Sequence, residues 1–76
     1  MIGFEDNENR EELGWLMEST VWINKGHPTY RRVINSDAEN YHIVLSVAWV
    51  LSGYLEGEKS SQAFINRFLS NWGSRI

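Results

Sequence analysis

The sequence predicts a small α+β domain, mostly α: an N-terminal strand or hairpin followed by three helices packed as a small cluster. Three observations carry this. A β-branched and aromatic run at residues 19–23 reads as a strand. The motif Ser36-x-x-Glu39 precedes an apolar run and reads as a helix start. Phe64, Ile65, Phe68, Leu69 and Trp72 then recur at helical spacing.

Residues 1–12 hold five acids (Glu5, Asp6, Glu8, Glu11, Glu12) and one base (Arg10), a charge of −4. They are polar and without periodicity, and are expected to form a flexible acidic arm or the end of a linker. Residues 13–76 form the single domain. Leu13 and residues 14–17 are the expected hairpin partner of the strand, through a turn near Glu18 and Ser19. That turn lacks an Asn-Gly or Asp-Gly pair. Since a strand needs a neighbour for its backbone groups, either the hairpin forms or the partner strand lies on another chain.

Gly26 and Pro28 end the strand and open a short helix of about two turns, with Tyr30, Val33 and Ile34 on its apolar side. The second helix runs from the Ser36 capping box to about Tyr54, closed by Gly53 or Gly57. It is apolar nearly all round, so it is expected to be buried on most sides. Glu39, His42, Ser46 and Gly53 make a narrow polar or small stripe, read as solvated or hydrogen-bonded. After a loop over residues 56–60, Ser60 is the expected N-cap of an amphipathic third helix.

Seventy-six residues allow one domain with a marginal core, burying roughly 60% of the unfolded chain's surface. There is no cysteine, which excludes disulfides and thiolate metal sites and fits a reducing compartment; the cytoplasm is the expected location. The longest apolar run is far shorter than the ~20 residues of a spanning helix, so no membrane association is expected. Residues 13–76 carry five acids and six bases, +1, so there is no basic stripe of the kind a general nucleic-acid binder shows.

No catalytic constellation stands out, and no cofactor or metal is expected. Glu39-x-x-His42 has the spacing used in di-iron bundles, but the second such pair is missing. His27 or His42 with Ser46 or Ser19 lacks an orienting third group and a nucleophile elbow. Lys25, His27, Arg31 and Arg32 surround a helix start and are the candidate anion-binding residues, weighed against a plain solvated helix face. Trp15, Trp22, Trp49 and Trp72 are mostly core material. Four are hard to hide in so small a body, and Trp is enriched at interface anchors, so they are also the candidate interface residues. Trp15 and Trp22 sit where a strand face could meet another chain.

The segments TVWINKGHPTYRR (residues 20–32), YHIVLSVA (41–48) and FINRFL (64–69) together resemble the C-terminal tail of prokaryotic proteins. In those proteins the N-terminal part is an ATPase of the gyrase, heat-shock chaperone, histidine kinase and mismatch-repair type. The resemblance implies a terminal domain related to a larger ATPase, not the enzyme itself, since the ATP-binding motifs of that superfamily are missing from these residues. It assigns no role to any residue. The functional expectation is a non-catalytic interaction or assembly domain, either forming a homodimer through the strand region around Trp22 or docking on a parent protein. The alternative is a small nucleic-acid-binding module using Lys25, Arg31 and Arg32.

Overall fold

Five apolar or aromatic side chains from three elements, Val21, Ile23, Tyr30, Val47 and Val50, meet in the core, with Leu16, Ile43, Leu51 and Phe68 against them. The computed structural model describes residues 1–54 and 58–74, the side chains of residues 58–60 excepted. Its elements are β1 (Ile2–Glu5), β2 (Gly14–Met17), β3 (Thr20–Asn24), α1 (Pro28–Val33), α2 (Glu39–Ser52) and α3 (Glu58–Gly73).

The expected hairpin forms. β2 and β3 pair antiparallel, with Trp15 opposite Trp22 and Leu16 opposite Val21. Their two-residue turn holds Glu18 at φ 52° and Ser19 at φ 64°, the left-handed pair that matches strand twist. Ordinary residues occupy positions where Asn-Gly is usual, which is why the turn was faint in the sequence.

The expected flexible arm is corrected by the structure: its first residues form a strand. β1 lies parallel to β3, with Ile2 opposite Val21 and Phe4 opposite Ile23, giving the sheet order β1-β3-β2. β3 is therefore the central strand, paired along both edges, and cannot take a strand from another chain. The connection from β1 to β2 crosses the C-terminal end of β3 and is organised by Asn24, which has no exposed surface. The Asn24 Oδ1 accepts from the Asn7 and Gly26 N–H groups at 3.1 and 2.9 Å. Its Nδ2 donates to the Arg10 and Glu12 carbonyls, both at 3.1 Å. A buried polar group is tolerated only when paired, and this one is paired four times. Gly26 lets the same connection come close, since a Cβ there would lie 2.8 Å from the Asn7 carbonyl carbon.

α1 has His27 as N-cap, its Nδ1 accepting the Thr29 N–H at 3.0 Å, and Ile34 as C-cap, followed by Asn35 in the left-handed region, φ 64°. The capping box of α2 is displaced rather than closed. Ser36 Oγ accepts the Ala38 N–H at 3.1 Å, while Glu39 Oε1 takes the Asn35 N–H at 2.8 Å, one residue before the expected one. Ala38 is the N-cap and gives no side-chain bond. α2 ends at Ser52, and Gly53 follows in right-handed geometry, φ −65°. Gly57 lies outside the described residues. α3 begins at Glu58, so Ser60 is inside the helix and not its cap.

Only about half the chain is helical, and the helices do not form a cluster alone. α1 and α2 lie on the sheet face that presents Val21 and Ile23, and α3 packs on α2 outside them. That position makes the body slightly extended, with a radius of gyration of 12.5 Å against about 11 Å for a tight domain of this length. Among the described residues, no helix is long and apolar enough to cross a membrane.

Candidate interaction surfaces

The expected polar stripe of α2, solvated or hydrogen-bonded, is buried and hydrogen-bonded at two of its four positions. His42 and Ser46 are buried, whereas Tyr41 and Trp49 are 47% and 44% exposed. The reason is packing: the His42 ring lies edge-on to Tyr30 at 5.8 Å and 6.5 Å from the His27 ring, in the wedge between α1 and α2. Burial, and secondarily the charge of His27, push the His42 imidazole below its ordinary value. Ser46 Oγ donates to the His42 carbonyl at 2.8 Å and lies 3.5 Å from its Nε2. The hydroxyl proton is thus directed at backbone, not at the imidazole. Glu39 turns the other way, to the Asn35 N–H and, at 3.5 Å, to the Tyr30 hydroxyl, which donates to it. Burial and then the Glu39 charge raise the Tyr30 phenol above its usual range.

Arg31 of the basic turn is paired with the acidic segment. Arg31 bonds Glu8 and stands 3.8 Å from Asp6. The Arg31 guanidinium holds the Glu8 carboxyl below the usual carboxylate range. Lys25 and Arg32 are exposed, and His27 uses its Nδ1 as a helix cap. The four candidate anion-binding residues therefore do not converge on a free site; two carboxylates occupy the guanidinium that would anchor one.

The four tryptophans divide in the opposite sense to the expectation. Trp15 is buried, with the Arg10 guanidinium 4.0 Å from its ring centroid and Arg10 in turn bonded to Glu12 at 2.7 Å. Trp22 is half-buried, its ring lying over Gly3, where a Cβ would come within 2.7 Å of Cζ3. Its indole N–H is buried with no acceptor among the described residues. The water-facing pair is Trp49 and Trp72, at 44% and 40%.

Trp49 lines an open groove of about 590 Å³ with Trp15, Tyr54, Ser61 and Arg10, between α2 and the β2 edge. Tyr41 and Trp49 are two turns apart on α2, and Tyr41 touches Trp72 of α3, ring centroids 6.0 Å apart. Tyr54 is 65% exposed. Apart from the buried His42, residues 40–54 carry no ionisable group other than Tyr41 and Tyr54, and Arg67 is the one charged side chain in residues 61–74. The helical side of this surface is aromatic and almost uncharged, and the strand side of the groove carries the Arg10–Glu12 pair. Trp49 and Trp72 were among the candidate interface residues, but spacing alone did not single them out, because an all-round apolar helix gives no sign of which side is left open.

Comparison with protein-family models, with curated proteins and with solved structures found no match.

Proposed function

We propose that the chain is a non-catalytic interaction or assembly domain that recognises a protein surface through the α2–α3 aromatic face. The observation that carries this is the exposure of Tyr41, Trp49, Tyr54 and Trp72, between 40% and 65% each, on helical segments that carry almost no charge. Aromatic side chains offer roughly 150–250 Å² each, so the four leave about 400 Å² in water. It lies in two pairs, Tyr41 against Trp72 and Trp49 beside Tyr54 along the groove. The resemblance of residues 20–69 to the tail of ATPase proteins extends the reading: the partner is a larger ATPase-type protein, in cis or in trans, in the cytoplasm. The wedge at His42 and Ser46 supports a non-catalytic role, since both side chains are buried and used in packing. A nucleic-acid role through Lys25, Arg31 and Arg32 draws less support, because Glu8 and Asp6 already hold Arg31.

Residues kept for binding cost little when polar groups replace them, whereas core aromatics cost about 3–5 kcal/mol. Trp49→Gln with Trp72→Gln is expected to keep the melting temperature within a few degrees and to raise solubility, beside a large loss for Trp15→Ala. A loss for the double variant as large as for Trp15→Ala would place these rings in the fold and remove the ground for the reading.

A further inference from the structure

A strand residue directs its N–H and C=O to the same side, and successive residues alternate. In β1 the residues bonded to β3 are the odd ones: the Val21 N–H donates to the Met1 carbonyl at 2.9 Å and the Lys25 N–H to the Glu5 carbonyl at 2.8 Å. Ile2 and Phe4 therefore turn their backbone groups to the outer edge of the sheet. β2, the other edge, begins with buried Gly14 and Trp15 beside α2. β1 is open, and its two large side chains, Ile2 and Phe4, are 49% and 45% exposed. Open apolar edge strands are templates for pairing, and β1 has no proline or lysine to blunt it.

We propose that β1 pairs with β1 of a second copy of this chain, antiparallel about a two-fold axis at Gly3, joining the two sheets into one of six strands. This goes beyond the aromatic-face reading and does not depend on it. One register satisfies every outward group: Ile2 opposite Phe4 of the second copy, and Phe4 opposite its Ile2, each a mutually bonded pair. The same register sets the two apolar side chains against each other on the face that already carries Val21 and Ile23. Gly3 meets Gly3 on the other face, where each Trp22 ring covers its own glycine. Charge permits the approach. Glu5 lies opposite Met1, not opposite a carboxylate, and the two Glu5 residues stand about 14 Å apart along the ladder, beyond a Debye length of about 10 Å. Asp6 and Glu8 are held by Arg31. Two side chains per copy give an interface well below ~800 Å² per partner, so dissociation constants are expected at micromolar concentration or weaker.

The test is sedimentation equilibrium of the whole chain over a wide concentration range, with amide hydrogen exchange read at Phe4. The expected result is a mass rising from one chain to two, with Phe4 exchange slowing in parallel. Ile2→Pro removes an outward N–H that β3 does not use, and should weaken association about tenfold or more while the dilute melting temperature holds. A monomer at every concentration, or a dimer indifferent to Ile2→Pro with Phe4 exchange unchanged, overturns the proposal. A dimer lost on Trp49→Gln instead would put the second copy on the aromatic face, overturning the edge pairing but not the interaction reading.

Discussion

Asn24 sits at the end of an apolar strand, and its carboxamide is used to the full: two backbone donors on Oδ1 and two backbone acceptors for Nδ2. Asn24→Asp keeps the shape but turns an anionic oxygen toward the carbonyls of Arg10 and Glu12. The expected loss is at least about 2 kcal/mol at neutral pH, against a total of roughly 4–11 kcal/mol for a domain of this length. The loss should be smaller at pH 3, where a protonated carboxyl can donate once. Chemical denaturation at the two pH values checks this, and a neutral substitution would mean the connection holds without its hub. His42 gives a second residue-level prediction. Its folded pKa lies below the unfolded value of about 6.5, so it is neutral in both states above that value. As the pH falls through about 6.5 the unfolded chain binds a proton that the folded one resists, and stability drops until the folded pKa is passed. His42→Gln should flatten that part of the profile; identical profiles would mean the buried ring is not the group being titrated. Neither role was legible. A strand-ending Asn followed by Gly26 signals only a turn, and a His on an apolar helix reads equally as a solvated or a hydrogen-bonded stripe, because periodicity gives a helix's polar side but not the direction of its neighbours.

Local signals located the hairpin, α1, α2 and α3, since turn chemistry, proline, caps and 3.6-residue spacing act over a few residues. They misplaced the end of α2 by two residues, at Ser52, and the start of α3 by three, at Glu58. β1 was missed for a different reason. Its partner β3 lies about twenty residues away and parallel, and four residues flanked by acids have no period of their own. What holds that region is non-local: the β3 ladder, Asn24 and the Arg31 pair. The β2–β3 turn can be improved in a way that tests its geometry. Glu18 and Ser19 both have positive φ, a conformation costing ordinary residues about 1 kcal/mol. Glu18→Asn with Ser19→Gly should therefore raise stability by about 0.5–1 kcal/mol in thermal melts. A loss of similar size would mean that the turn does not hold these two residues in the left-handed region.

Taken whole, the molecule gathers its acidic segment and its aromatic surplus on different elements, which meet at the groove that Arg10 and Glu12 line together with Trp49. The acidic segment folds back over the basic turn, so a chain of net charge −3 has a local balance at Arg31, while Lys25 and Arg32 stay exposed. The aromatic surplus collects along α2 and α3, where α3 rides outside the sheet layer and leaves one side of an all-round apolar helix in water. Composition showed that four tryptophans were too many for so small a core. It could not show which would stay outside, because that depends on non-local packing, such as the Arg10 guanidinium over the buried Trp15 ring. The most direct measurement of the central claim is site-specific photo-crosslinking in the cells that make the protein, with a photoreactive residue replacing Trp49 or Trp72, and Gln62 or Asn66 on the polar side of α3 as controls. The account predicts discrete adducts from 49 and 72 and none from 62 and 66; no adduct from 49 and 72, or the same adducts from all four positions, would contradict it.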